Sequence, residues 1–423
     1  MNAQRDARVS GTPWALLFVA VCLVAVNMRM TITGVGPLLD EIAADQGVTP
    51  ASLGFLASIP LLTWAVVSPA AQALSARIGP NAAVAGSLAA LTLGTVWRSL
   101  PGPQANLWLG TALVGAALAV ANVLLPATIK RDFGGRVPLV MGAYSTLLSG
   151  AAAVGAGMVA PIAHASMASG EPVGWRIALL TTGAMVPPAL VMWVVATRRA
   201  QHRGGGDTTS VSATVQGEPS SGMASRLGSR IWRDPVAWSI AVYMGTQSST
   251  FYVWATWLAP LDLSRGSDPV TAGLHVMVFH VCGMFGSLSA PFISRGAMRR
   301  ILPVLLPVIA AAGAVGLILA PAALLAWLIL SGFSAGCALT VSLTLMAQRS
   351  TDAATAAATS GMSQSVGYLI AAVGPVLFGV LYGATGSWVP PLFVILAGVG
   401  LQFCAGLLLA RERMVFGSDL RPR

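Results

Sequence analysis

Apolar stretches of about 20 residues recur along the whole of this 423-residue chain, each long enough for a helix to cross a ~30 Å hydrocarbon core. Twelve are read: Trp14 to Leu39, Ala51 to Ala73, Ala82 to Trp97, Asn106 to Ile129, Pro138 to Ala163, Trp175 to Ala196, Val236 to Ala259, Val270 to Phe292, Ile301 to Leu319, Ala322 to Met346, Ala358 to Tyr382 and Val389 to Leu409. A chain 55% hydrophobic and 9% charged has too little polar surface for a soluble globule and too much apolar sequence for one buried core. The expectation is an all-α polytopic membrane protein with twelve transmembrane helices.

The net charge of +10 would suggest nucleic acid in a soluble protein, but here the basic residues fall into alternate connections. With the N-terminus inside, the cytoplasmic side collects Arg5, Arg8, Arg77, Lys130, Arg131, Arg136, the central-loop arginines, Arg295, Arg299, Arg300, Arg349, Arg411 and Arg413. The far side keeps only Arg98, Arg176 and Arg265. The positive-inside rule then places both termini in the cytoplasm, in a multi-pass protein of the cytoplasmic membrane. Arg5 and Arg8 ahead of an over-long apolar run read as a retained signal anchor. Cys22, Cys282, Cys337 and Cys404 lie singly, with no metal or redox spacing, and read as small buried core residues.

A polar stretch rich in Gly, Ser and Thr between Arg198 and Arg233 separates six helices from six. The expected organisation is an N-terminal six-helix bundle over 1–197, a cytoplasmic linker over 198–235 and a C-terminal six-helix bundle over 236–423. The halves share a register: Gly47 to Gly54 corresponds to Gly266 to Gly273, Gly142 to Gly361 and Gly155 to Gly374, each at an offset of 219 residues. Two parallel repeats joined by a linker are the pattern of a rocking transporter with its site near the midplane. The pattern resembles the major facilitator superfamily.

All Asp and Glu residues are placed outside the membrane core, so no helix is expected to carry a buried carboxylate. Against that background Arg29, deep in the first apolar segment, requires a reason. A central Arg costs from ~3 to ~10 kcal/mol or more, so such residues normally face a bundle interior or a wet cavity. With no acidic residue to neutralise it, the missing counter-charge is expected to be the substrate. Snorkelling is the alternative. Asp40 lies ~16 Å of helix beyond Arg29, although Gly34, Gly36 and Pro37 provide places to break the helix early.

Asn27 and Thr33 polarise the same helix, and Asn27 is expected to orient Arg29. Helix seven contributes Tyr243, Gln247 and Tyr252, which read either as a site wall or as ordinary helix contacts. Asn122, Gln364 and Tyr368 are further candidates, with an ordinary bridge between two helices as the alternative reading of each. His280 is central in helix eight; it is either a packing residue or a group that titrates in place of the absent carboxylates. No P-loop, Gly-x-Ser-x-Gly elbow or metal-spaced His pair is present, so the sequence predicts neither an enzyme nor a cofactor or metal.

Asn27-x-Arg29 with Gly36-Pro37-Leu38-Leu39, Lys130-Arg131-Asp132-Phe133, Tyr144-Ser145, Gly174-Trp175-Arg176, Tyr252 with Trp257-Leu258, and Gly367-Tyr368 with Gly374-Pro375 resemble the cyanate permease and 2-nitroimidazole transporter family. The resemblance runs over essentially the whole chain. It implies a twelve-helix inner-membrane carrier of small anionic or nitro-bearing compounds, with Arg29 at the substrate. Two features depart from the pattern: Gln72, Ala76, Arg77 and Gly79 replace the superfamily's Gly-x-x-x-Asp-Arg-x-Gly loop, and Met28 and Met30 flank the helix-one Arg. The expectation is a monomeric secondary active transporter working by alternating access. A drug efflux carrier coupled to protons is the alternative, one that would favour the buried carboxylates this chain lacks.

Overall fold

The computed structural model describes residues 13–204 and 230–417. Arg5, Arg8 and the polar centre of the linker lie outside the described residues. The long helices are α1 (Pro13–Thr33), α2 (Pro50–Ile78), α3 (Pro80–Ser99), α4 (Ala105–Asp132), α5 (Val137–Ala163), α6 (Val186–Gly204), α7 (Pro235–Leu263), α8 (Pro269–Ile293), α9 (Met298–Leu319), α10 (Leu324–Gln348), α11 (Ala353–Thr385) and α12 (Val389–Leu409). The fold is all-α with twelve crossing segments, the sixth formed by Gly174–Thr181 together with α6. Ten segments are long and apolar enough to be recognised as membrane spans by composition alone. The other two are α3, which carries Arg98, and α7, which is buried on nearly every side and carries most of the polar candidates.

Local chemistry sets the ends of these helices. Thr49, Asp234, Asp268 and Asp352 occupy N-cap positions and accept hydrogen bonds from first-turn amides of α2, α7, α8 and α11. Pro50, Pro235 and Pro269 follow three of those caps, where a missing N–H costs nothing. The internal repeat is visible here as backbone. Gly47 and Gly266 both take positive φ, at 61° and 94°, and each is followed by a capping residue and a proline.

Three expected boundaries shift. Helix one ends at Thr33 rather than Leu39, and the chain continues through a 3-10 turn at Gly36–Leu38 into a short helix, Leu39–Gln46. Helix six is interrupted between Thr181 and Val186, just before Pro187 and Pro188, neither of which donates a backbone hydrogen bond. At its other end α6 runs on to Gly204, so the start of the expected connector is helical.

The two halves meet at the end of the bundle away from the linker. Gly36 lies against the Ala255 carbonyl, and these two residues occupy the same position in the two repeats. Gly54 on α2 lies against the Pro375 carbonyl of α11, and Gly273 on α8 against the Ala156 carbonyl of α5, again 219 residues apart on both sides. Ser58 donates to the Ala372 carbonyl at 2.6 Å, and Met277 packs on Gly157. Lipid tails give apolar helices no hydrophobic reason to associate, so these approaches rely on van der Waals contact between backbones that only small residues allow. Toward the linker end the seam parts. Gly142 on α5 and Gly361 on α11 face open space with nothing within 4 Å.

Two placements of charge differ from the expectation. Asp262 lies in the last turn of α7, buried at 1% exposure, and pairs with His275 Nδ1 at 2.6 Å. Arg98 and Arg349, read as loop charges, are both 1% exposed. Their guanidiniums donate to backbone carbonyls that helix ends leave available, Thr31 for Arg98 and Leu409 for Arg349. Of the cysteines only Cys337 is buried, while Cys404 is exposed on α12.

Candidate substrate site at the seam

α1 carries Arg29 to the point where the closed part of the seam gives way to the open part. Its Nη1 donates to the hydroxyl of Tyr252 on α7 at 2.9 Å, a bond between the two halves. Three rings surround the guanidinium, with centroids at 5.9 Å for Trp64, 5.7 Å for Phe251 and 6.0 Å for Tyr252, distances at which a cation is attracted by the ring face. Trp64 in turn meets Tyr368 edge-on at 5.1 Å, and Tyr252 at 6.2 Å. α1, α2, α7 and α11 therefore all contribute to one aromatic-lined cationic site.

What this site lacks is a carboxylate. None of the ion pairs among the described residues involves Arg29. The indole Nε1 of Trp64, on a residue 1% exposed, has no hydrogen-bond partner. The site presents unmatched donors around a half-buried cation, a chemistry that favours an acceptor-rich, negatively charged or nitro-bearing guest.

The other candidates separate into groups. Tyr252 and Tyr368 stand at Arg29, as described. Gln247 is 4% exposed and donates to Ser248 Oγ at 2.7 Å; Ser248 occupies the position in the second repeat that Arg29 holds in the first. Gln364 bonds one turn back, to Ser360 Oγ at 3.0 Å. His280 is 3% exposed between Phe251 and Phe279, each 5.4 Å away, with Nε2 unpartnered.

Asn27 does not bond Arg29. Its amide donates to the carbonyls of Leu23 and Met185, tying α1 to the interrupted helix six. Thr33 donates to the carbonyls of Arg29 and Ala152, which docks α1 on α5. Both side chains serve backbone carbonyls and make no bond to the Arg29 guanidinium. Tyr243 is fully buried among Ile240, Leu306 and Val341 inside the second half. Asn122 is half-buried on α4, and no hydrogen bond among the described residues joins it to Arg29.

Trp64 and Phe251 were not among the expected site residues. A tryptophan in mid-span was the available signal, since interfacial positions are the usual ones for this residue. Phe251 had none, because an apolar ring on an apolar helix reads as packing.

Comparison with known proteins agrees with this architecture. Residues 17–375 match the family model described as Major Facilitator Superfamily. The chain belongs to that superfamily. It is 35% identical over 408 residues, 96% of this chain and 98% of the relative, to the 2-nitroimidazole transporter of Escherichia coli (strain K12). It is 27% identical over 389 residues, 91% of this chain and 95% of the relative, to the cyanate transport protein CynX of the same organism. Among solved structures, a bacterial homologue of the human lysosomal transporter Spinster superposes with a TM-score of 0.77 at 15% identity, covering 95% of this chain and 99% of that one. As a major facilitator superfamily member the chain is a multi-pass membrane protein and a secondary transporter of a small molecule, not an enzyme.

Proposed function

We propose that this transporter moves a small anionic or nitro-bearing solute, cyanate-like or nitroimidazole-like, with Arg29 as the residue that holds it. The observation that carries the reading is a half-buried guanidinium whose polar side-chain partner is the neutral Tyr252 hydroxyl. The names of the two bacterial relatives support the same substrate class. Charge-assisted hydrogen bonds from Arg29 would fix the anion or nitro group, and the rings of Trp64, Tyr252 and Tyr368 would enclose it. Gln247 and Gln364 stand on the second half as further polar groups for the remainder of the guest.

The six-helix halves, 1–197 and 236–423, are the two bodies that rock about this site. With the linker and both termini in the cytoplasm, the contacts at Gly36, Gly54 and Gly273 form the external gate, and the gap at Gly142 and Gly361 opens inward. The protein works as a monomer in the cytoplasmic membrane. His280 is the group through which a proton gradient acts on Arg29. Uptake of cyanate into proteoliposomes, with 2-nitroimidazole, nitrate and a neutral imidazole as competitors, tests the substrate class. Competition by the anionic and nitro compounds alone is the expected result. Equal competition by neutral imidazole, or no uptake by folded protein, would remove the proposed substrate.

A further inference from the structure

Beyond Arg29, on the closed side of the seam, lies a cavity of about 30 Å³. Its lining includes Gly36, Arg98, Thr111, Tyr252 and Thr256, drawn from both halves of the molecule. Tyr252 belongs to both places: its hydroxyl holds Arg29, and its side chain walls the cavity. A second cation therefore stands one ring farther along the seam.

The polar side chains here are one guanidinium and several hydroxyls. Arg98 is 1% exposed, donates through Nη1 to the Thr31 carbonyl at 2.8 Å and through Nη2 to the Thr182 hydroxyl at 3.2 Å, and leaves Nε–H without a partner. Thr111 and Thr256 are 4% and 6% exposed. Helical threonines usually return their hydroxyl to a carbonyl one turn back, as Thr95 and Thr33 do. Neither Thr111 nor Thr256 makes a side-chain hydrogen bond to any described residue. No carboxylate lines the cavity. Buried polar groups are normally satisfied, and unpartnered ones in the lining of a cavity are a reason to look for a guest.

We propose that this cavity is a second anion station, separate from the Arg29 site, that takes one compact monovalent anion of one to three heavy atoms. The size follows from the volume. A cavity of about 30 Å³ has room for roughly two waters, which suits a halide or a linear triatomic anion and excludes a nitroimidazole ring. The charge follows from Arg98, and the Thr111 and Thr256 hydroxyls in the same lining supply further donors. The guest is either the transported anion held behind the external gate or a resident halide. The inference rests on the Arg29 reading only in the first of these cases.

Equilibrium binding of radiolabelled thiocyanate to the purified full-length protein counts the stations. The wild type is expected to hold two per chain, Arg98→Gln one, and Arg29→Gln one. Because Arg98 also ties α1 to the sixth segment, the Thr111→Val/Thr256→Val double variant, which breaks no structural bond, is the companion test and is expected to weaken one of the two stations at least tenfold. Chloride that displaces thiocyanate only from the Arg98-dependent station identifies a resident halide; equal displacement from both identifies the solute in transit. A wild type that binds one anion, lost on Arg29→Gln and unchanged in the double variant, overturns the second station and leaves the Arg29 reading intact. No binding to folded wild type overturns both.

Discussion

Arg29 Nη1 donates to the Tyr252 hydroxyl at 2.9 Å across the seam between the two halves of the transporter. The bond links the proposed substrate residue of the first half to the most buried polar helix of the second. It forms only when α1 and α7 approach at this depth. A solute that takes over the guanidinium would compete for the same donor, which couples occupancy of the site to how firmly the halves hold together.

Tyr252→Phe keeps the ring and removes that tie. A hydrogen bond to a charged group contributes roughly 1.5–3 kcal/mol, or about ten- to a hundredfold in the ratio of two conformers. Distances between spin labels at Ala44 and Ser264, both exposed on the closed end, are expected to broaden toward a longer population. An unchanged distribution would show that packing alone holds the seam.

Gly54 and Gly273 hold equivalent places in the two repeats but differ in tolerance. A Cβ at Gly54 collides with the Pro375 carbonyl oxygen, a backbone atom that cannot turn aside, whereas at Gly273 it meets the Ala156 oxygen at 3.4 Å, ordinary contact. Gly54→Ala is expected to cut transport at least tenfold by holding the gate ajar, and Gly273→Ala less than threefold. Thiol labelling of a cysteine placed at Ser58 reads the gate directly; it should rise in the first variant only.

At the linker end Glu412 accepts from Arg299 and Arg300, each at 2.7 Å, pinning the segment after α12. Arg300 first, then Arg299, holds its carboxyl below the ordinary value of 4.5. The folded state therefore binds this proton less readily than the unfolded chain. The clamp's contribution is present above about pH 4.5 and lost as pH falls through the folded value. Because both guanidiniums are well exposed, the effect is under about 1 kcal/mol. Glu412→Gln should lower the melting temperature slightly at pH 7 and flatten its decline below pH 4.5, as measured by thermal unfolding in detergent.

His280 offers a test of coupling. His280→Gln is expected to abolish the dependence of cyanate uptake on a proton gradient while leaving cyanate exchange between loaded and external pools within threefold of wild type. Retained gradient dependence would assign the proton elsewhere, with the buried Asp262–His275 pair the next place to look.

The helices and their repeat were legible because both are periodic properties of the chain: apolar length specifies spans, and glycines at a fixed offset specify matched contacts. Arg29 was legible because charge in an apolar run has few cheap explanations. Arg98 was not, since a residue in the last turn of a helix, three positions before Pro101, reads as a loop charge until the sixth segment folds Thr182 against it. Asn27 and Thr33 share a helix with Arg29 yet serve the backbone of α5 and the sixth segment, because polarity in a sequence identifies a donor without revealing which side of the helix its acceptor lies on. The aromatic enclosure by Trp64 and Phe251 arises from packing between distant segments, which local pattern does not encode.

The most direct test of the account is cyanate uptake by proteoliposomes carrying Arg29→Gln, beside Lys130→Ala as a cytoplasmic control and Arg29→Lys as the charge-conserving variant. Loss of at least a hundredfold in Arg29→Gln, partial recovery in Arg29→Lys and near wild-type uptake in Lys130→Ala is the predicted result. Wild-type uptake by folded Arg29→Gln would contradict the claim that this guanidinium holds the solute.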